Sequence, residues 1–521
     1  MPGPNFSFPS ASIGSLRLPQ GQGELSYIWF SIHANNGEAT ANINRHPRNK
    51  MKLIIVSNRV CHDEKPQAGG LAAAVQDTFS SVQGLWIGWS GDVSESFERK
   101  AGSVGNIDFE VFSLTEKEYR DYYLAYSNEV LWPICHLRPD HLHPDEEAFR
   151  TYRQVNEKFA GEVLAHAHED DFVWVHDYHL LLTAKAMRQR GHLGTVGYFH
   201  HIPVPPVDLL RMIPQHAELL GGLLSYDVVG LQTGGDLKNL MDYFHALKRK
   251  HPDMLVFHAG SEMFNVRHQG RTTRFGVYPI SIDTRRIEAD APQAWAEPVV
   301  QQLKASLGDS PLVIGVDRLD YSKGLKRKFL AFDRYLEDAK QGRPADLPVL
   351  LQIASKSRSE LSSYQQLCTE LESLASRING SHGTPTYTPI RYVNAVYEHG
   401  LLTGFYRLAR AALVTPLKDG MNLVAKEYLA AQDPDDPGVL ILSEFAGAAQ
   451  ELNEALLVNP FDLDSVAQAI ERALQMPRLE RVQRHRAMLK RLRSHDIQSW
   501  HQRYLGDLFA REGQALEKTG S

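Results

Sequence analysis

Several stretches of this chain carry side chains suited to holding a phosphorylated leaving group. The run Val316-Asp317-Arg318-Leu319-Asp320-Tyr321-Ser322-Lys323-Gly324 puts two cations, Arg318 and Lys323, on one loop after the apolar run Leu312–Val316. Against a diphosphate, each contributes on the order of 1.5–3 kcal/mol through charge-assisted hydrogen bonds. Both also neutralise the charge that grows as such a group departs. An ion-paired loop, with Asp317 and Asp320 as partners, has the same composition. In Thr415–Glu427, Gly420 breaks the chain before a helical segment. The N–H groups around Met421, Asn422 and Leu423 then face the positive helix end, a seat for an anion. Asp419 projects toward sugar hydroxyls. Glu427 lies roughly 7 Å along the helix at ~1.5 Å per residue, the reach from a diphosphate to a ribose. In the plainer alternative Asp419 caps the helix and Glu427 pairs with Lys426 or Lys418. Finally, Ser57-Asn58-Arg59 follows Leu53–Val56, and Gly69-Gly70-Leu71 opens the next helix. Such a loop lets backbone N–H groups approach an anion, and Arg59 adds a planar donor fork. A tight turn with a surface arginine reads the same way.

His176-Asp177-Tyr178-His179 and His200-His201-Ile202-Pro203 end two successive apolar runs. Their spacing lacks the helical His-Glu-x-x-His pattern of zinc sites, so they read as a polar cleft wall or as buried structural histidines, with no metal. Trp86, Trp89, Tyr122, Tyr123 and Trp132 form an aromatic set. Large rings usually mean core, and sugars also stack on them.

The elements that must position these residues alternate. Apolar runs recur at Leu53–Val56, Phe172–Val175, Val196–Phe199, Val228–Leu231, Phe275–Ile280, Leu312–Val316, Val349–Ile353, Ala412–Val414 and Val439–Leu442. They lack polar alternation, as strands buried on both faces do. Amphipathic segments lie between them: Leu180–Arg190, Lys326–Asp338, Leu361–Ser376, Asn422–Gln432 and Leu463–Met476. This predicts an α/β protein of two doubly wound, Rossmann-like domains facing a cleft at the carboxyl ends of their strands. The pattern breaks at Asp283–Pro298, which marks a domain junction. The expected organisation is a loosely ordered extension at 1–50, a first domain at 51–285, a second at 286–485, and terminal helices at 486–521 that cross the junction. Met51, just before the first strand, is a candidate start, and removing 1–50 should cost little activity or stability.

Composition narrows the function. With 56 Lys plus Arg against 62 Asp plus Glu, the net charge of −6 offers no basic surplus for nucleic acid. No apolar run approaches the ~20 residues that span a membrane. The three cysteines, Cys61, Cys135 and Cys368, are odd in number and scattered, which fits a reducing, cytoplasmic setting.

Taken together these runs resemble the retaining glycosyltransferases that make trehalose 6-phosphate, from about Lys52 to Leu508. The resemblance is carried by Ser57-Asn58-Arg59, Gly-Gly-Leu at 69–71, Trp-x-Gly-Trp-Ser-Gly at 86–91, Val-Leu-Trp-Pro at 130–133, His-Asp-Tyr-His-Leu-Leu at 176–181 and His-Ile-Pro at 201–203. It continues through Arg-Leu-Asp-Tyr-Ser-Lys-Gly at 318–324, Arg-Ile-Asn-Gly at 377–380, Asp-Gly-Met-Asn-Leu-Val-Ala-Lys-Glu at 419–427 and Glu-Phe-Ala-Gly-Ala at 444–448. It implies a two-domain GT-B fold, transfer of glucose from UDP-glucose to glucose 6-phosphate, and no metal or cofactor, since the nucleotide sugar is a substrate. UDP is favoured over GDP or ADP by family prevalence.

Position by position, it assigns the acceptor phosphate to Arg59, Tyr123 and Arg358, the acceptor sugar pocket to Trp89 and Trp132, and acceptor hydroxyls to Asp177. His201 and Asp419 match contacts to the transferred glucose. The donor diphosphate and ribose match Gly69, Gly70, Arg318, Lys323, Met421, Asn422, Leu423, Val424 and Glu427. Tyr397 stands at the nucleotide edge, where the family often has Phe. The stretch Cys135–Phe149 looks unlike common members. Alternatives are a relative with another phosphorylated acceptor, such as glycerol 3-phosphate, and a non-catalytic sugar-phosphate sensor. A homo-oligomer is compatible with the sequence, and with few residues after Ala510 the expected phosphatase partner is a separate protein.

Overall fold

The computed structural model describes residues 51–60, 84–104, 107–340, 347–358 and 360–518, with side-chain surroundings up to residue 510. The proposed extension 1–50, together with Cys61, Gly69 and Gly70, lies outside the described residues.

Val-, Ile- and Leu-rich runs gain most by covering both faces, and they fold here as the central strands of two sheets. The first sheet contains β1 (Leu53–Arg59), β2 (Gly84–Val93), β3 (Arg99–Val104), β4 (Ile107–Leu114), β5 (Phe172–His176), β6 (Val196–Phe199), β7 (Val228–Leu231), β8 (Leu255–His258), β9 (Met263–His268) and β10 (Arg271–Val277). Its ten strands run β3-β4-β2-β1-β5-β6-β7-β10-β9-β8. The centre is parallel from β4 to β10, and antiparallel strands close both edges. The second sheet contains β11 (Leu312–Arg318), β12 (Val349–Ser355), β13 (Ile390–Val393), β14 (Ala411–Val414), β15 (Val439–Ser443) and β16 (Leu456–Val458). Its six strands are all parallel, in the order β13-β12-β11-β14-β15-β16.

The strand order decides where ligands can sit. In the second sheet the winding reverses between β11 and β14, and in the first between β1 and β5. Open α/β sheets bind ligands at such switch points, beyond the carboxyl ends of the strands. Arg59 and Arg318 end, and Asp177 and the Thr415–Leu423 loop follow, the strands that flank these two points.

Some elements differ from the sequence reading. The run expected as a strand over Phe275–Ile280 starts earlier, at Arg271, and stops at Val277, before Pro279, which has no N–H to give a ladder. The helix expected over Leu180–Arg190 is a short 3₁₀ turn, Tyr178–Leu180, followed by a helix at Thr183–Gln189. The break at Asp283–Pro298 is itself helical over Thr284–Ala296, with Pro292 inside it. Alanines favour helix, and the Asp283 carboxylate caps it by accepting from the amide of Arg286 at 3.0 Å.

The last two helices, Arg478–Ser494 and Ile497–Lys518, follow the second sheet, yet the final one packs on the first. Tyr504 donates to the carbonyls of Tyr198 and Val228 at 3.1 and 3.3 Å. Asp507 accepts from Arg274 and Tyr278, both at 2.7 Å. Gly197 gives this helix its close approach, since a Cβ there would collide with the Tyr504 hydroxyl. Trp174, Phe199, Trp500 and Tyr504 join Ile314, Leu351 and Leu442 of the second sheet in one continuous apolar cluster. Each large ring buries about 150–250 Å², on the order of 4–6 kcal/mol of gross apolar burial. Among the described residues no helix is long and apolar enough to cross a membrane.

Candidate active site

On the second sheet, the loop after β11 and the loop after β14 meet. Lys323 ends a 3₁₀ turn whose N-cap, Asp320, accepts from the amide of Ser322 at 2.9 Å. Its Nζ lies 2.5 Å from Asp419 Oδ2. Asp419 also accepts from Asn422 Nδ2 at 3.1 Å. Burial opposes ionisation of Asp419, but Lys323 outweighs it and holds the carboxyl below its ordinary range. Asn422, with φ 77°, caps the helix Leu423–Ala431 by accepting from the amide of Ala425. The cap is therefore Asn422 and not Asp419. Met421 is buried, while Leu423 and Val424 are half-buried at the helix start.

The intraloop ion-pair alternative does not hold. Lys328 takes Asp317 at 2.6 Å and Arg358 takes Asp320 at 3.1 Å, leaving Lys323 to Asp419. Arg318 lies with its guanidinium 5.4 Å from the Trp132 ring. Glu427 pairs with neither Lys426 nor Lys418. It lies 3.7 Å from His399 and accepts from Tyr406, and Lys426 is buried against Glu451 and the carbonyl of Ile280. Tyr397 sits edge-on to Phe405, half-buried.

On the first sheet, Arg59 extends from the end of β1 with its guanidinium 5.8 Å from the Trp89 ring. Tyr122 donates to Asn58 at 2.7 Å and Trp86 to Ser57 at 2.9 Å, so these two aromatics are core and hold the Arg59 turn. Trp89 and Tyr123 lie 5.5 Å apart, and Tyr123 stacks on His179 at 5.9 Å. Asp177 adopts φ 75°, a left-handed conformation costly for a residue with a side chain. Two bonds fix it: its amide donates to Phe199 at 2.8 Å, and its Oδ1 accepts from the amide of His201 at 3.2 Å. Burial raises its pKa to about 6, against the pull of the Tyr178 and His201 amides. The His201 ring lies 3.0 Å from His176, Nε2 to Nδ1.

The two sheets' loops meet here. A Cβ at Gly420 would collide with the carbonyl of His201, so only glycine lets the β14 loop rest on the end of β6. Arg358, φ 49°, reaches from the end of β12 to Tyr364 at 2.6 Å, to Tyr178 at 3.2 Å and over the Trp132 ring at 4.0 Å. Burial opposes ionisation of Asp320, yet Arg358 and Arg318 hold it far below the usual carboxylate range. In the Cys135–Phe149 stretch, His141 stacks on Tyr321 of the second sheet at 4.4 Å.

The structure thus brings Arg318, Lys323, Asp419, Met421–Val424, Trp132, Arg358, Asp177 and His201 to one seam, with Arg59, Trp89 and Tyr123 along the neighbouring wall. Sequence reasoning missed Asp320, Tyr178, Tyr364 and His176 as members of the site. Asp320, Tyr178 and His176 lie within motifs already singled out. Tyr364 gave no local signal. Among the described residues no group of His, Cys, Asp and Glu is placed to hold a metal ion.

Residues 39–510 match the sequence profile of glycosyltransferase family 20. This chain belongs to that family. The family-20 chain is 43% identical over 462 residues to the trehalose-6-phosphate synthase of Enterobacter sp. (strain 638), covering 88% of this chain and 95% of the relative. A UDP-forming α,α-trehalose-phosphate synthase from Burkholderia xenovorans, solved in complex with glucose-6-phosphate, superposes with a TM-score of 0.84 at 42% identity, over 88% of this chain and 99% of that one. An E. coli structure bound with UDP-2-fluoro glucose gives 0.80 at 40% identity, over 88% and 98%. The family-20 assignment makes this chain a glycosyltransferase, and its two parallel-sheet halves are the GT-B arrangement.

Proposed function

We propose that this glycosyltransferase moves glucose from UDP-glucose to glucose 6-phosphate with retention, giving α,α-trehalose 6-phosphate and UDP. The observation that carries the reading is the seam itself: Lys323, bonded to Asp419, and Arg318, lying on Trp132, bring a diphosphate grip of the second sheet against an aromatic wall of the first. Relatives of 40–43% identity are trehalose-6-phosphate synthases, one solved with glucose-6-phosphate and one with a UDP-glucose analogue.

In this reading Arg318, Lys323 and the amides of Leu423 and Val424 hold the diphosphate, and Glu427 and Tyr397 face the nucleoside. Asp419 and His201 hold the transferred glucose. Arg59, Tyr123 and Arg358 take the acceptor phosphate, while Trp89, Trp132 and Asp177 hold the acceptor ring. The C1–O bond to the diphosphate breaks as the acceptor's anomeric oxygen bonds to the same face of C1. The acceptor hydroxyl gives its proton to the departing phosphate oxygen. The cations stabilise that oxygen as its charge grows. The two halves exclude water and align the sugars.

The test is nucleotide release measured with UDP-, GDP- and ADP-glucose, each against glucose 6-phosphate and glycerol 3-phosphate. Release confined to UDP-glucose with glucose 6-phosphate is expected. Release only with glycerol 3-phosphate, or with no pair, refutes the reading.

A further inference from the structure

A buried polar atom without a partner costs about 1–3 kcal/mol, so each one in a working site calls for a cause. His176, at the end of β5, is fully buried, and its Nε2 has no hydrogen-bond partner. Its Nδ1 lies 3.0 Å from Nε2 of His201, which is half-buried at the cleft. Trp174 stands 4.5 Å behind the His176 ring, and Phe199 lies 4.7 Å from the His201 ring, so both rings are packed in place. Burial favours the neutral form of both rings: it lowers the pKa of His201 to about 3 and takes His176 well below its ordinary value, with His201 and His501 adding to it.

A neutral imidazole has one N–H and one bare nitrogen. The contact therefore holds a single hydrogen, and there are two ways to place it. If His201 donates from Nε2, His176 keeps an N–H at its own Nε2, buried with nothing to accept it. If His176 donates from Nδ1, its Nε2 is only a bare lone pair. Orphaned buried donors are rarer than under-satisfied acceptors, so the second arrangement is favoured.

We propose that His176 is a positioning residue that sets the tautomer of His201: His176 Nδ1–H donates to His201 Nε2, and His201 presents Nδ1–H to the cleft as a hydrogen-bond donor. The inference rests on the reading of His201 as a contact to the transferred glucose. It adds that the sugar oxygen at this point must act as an acceptor.

Long-range ¹H–¹⁵N spectra of the full chain labelled with ¹⁵N-histidine test it. His201 is assigned from the signals lost in His201→Gln. A protonated Nδ1 and an unprotonated Nε2 on His201 are expected in the wild type, and the reverse pattern overturns the proposal without any variant of His176. His176→Phe removes the donor; the His201 tautomer should become mixed, and turnover should fall at least ~10-fold with KM for glucose 6-phosphate unchanged. His176→Asn, which returns a donor near the Nδ1 position, should restore both. A mixed tautomer with normal turnover in His176→Phe overturns the positioning role. Normal turnover in His201→Gln, with the tautomer as stated, refutes the role of His201 and leaves the tautomer standing.

Discussion

Replacing Lys323 by alanine probes the grip on the leaving group most directly. Its ammonium lies 2.5 Å from Asp419, and the two side chains are only 10% and 13% exposed. Two unit charges ~4 Å apart interact by about 4 kcal/mol at an effective dielectric of ~20. A diphosphate held by Lys323 loses an interaction of that order when the ammonium goes. The Asp419 carboxylate, stripped of its partner, then adds repulsion of the same sign. Part of this is felt already by bound substrate, and only the part tied to charge growing on the departing oxygen slows the chemical step. We expect kcat to fall ~10²- to 10³-fold, about 2.7–4 kcal/mol, read as UDP release at saturating donor and acceptor. Arg318→Ala should fall at least ~10²-fold for the same reason. In the double variant Lys323→Ala/Asp419→Asn the bare carboxylate is gone, so its loss should be smaller than the sum of the two single losses. Turnover within ~3-fold of wild type in both Lys323→Ala and Arg318→Ala would refute the leaving-group role.

Arg59→Ala should raise KM for glucose 6-phosphate ~10-fold or more with kcat nearly unchanged, because a phosphate contact shared by ground and transition states is lost; an unchanged KM argues against it. Arg358→Ala removes the direct ion-pair partner of the fully buried Asp320 and leaves Arg318 as its nearest remaining arginine. That should destabilise the fold by roughly 3–5 kcal/mol in urea unfolding, and adding Asp320→Asn should recover much of it; a single variant within ~1 kcal/mol of wild type counts against the ion pair. Because the pKa of Asp320 is depressed, its stabilisation is present above the unfolded value of ~3.9 and is lost as pH falls below it. Asp177 has the opposite sign. Its pKa is raised to about 6, so its contribution to folding is present below ~3.9 and is lost as pH rises through about 6. The ionised carboxylate is the stronger acceptor for the sugar hydroxyls that the reading gives it, so kcat/KM for glucose 6-phosphate should decline below about pH 6. The substrate phosphate also titrates near ~6, so the control is Asp177→Asn, in which the part of the decline due to the carboxyl should disappear.

What could be read from the sequence was what lies close together along the chain. Continuous apolar runs marked β1, β5, β6, β7, β11, β12, β14 and β15, because strands covered on both faces need no polar alternation. The strand β2 went unread since its Trp-Ile-Gly-Trp run looks like an aromatic motif. Gly88 lies in mid-strand, against the Ser57 carbonyl of β1. β8, β13 and β16 are only three or four residues long, and β9 is broken by Asn265 and Arg267. Arg318, Lys323, Gly420 and the helix tip at Asn422 were legible as spaced motifs, whereas Gly69 and Gly70 lie outside the described residues. The partners of the cations were not legible: Lys323 meets Asp419 and Arg358 meets Tyr178 across long stretches of chain, and no local pattern encodes such a meeting. The same limit explains Asp283–Pro298, where a proline suggested a break and the buried Ile287, Ala291 and Ala294 kept the helix.

The return of the final helix to the first sheet bears on biosynthesis. Tyr504 fills space beside Tyr198 and Val228, so the earlier half cannot complete its interior until the ribosome has translated the later one. At about 5–20 residues per second, nascent β6 and β7 wait roughly a quarter to one minute for that covering. During this interval their apolar edges must be shielded by transient packing or by chaperones, and slowing translation beyond Val277 should lower the yield of soluble enzyme.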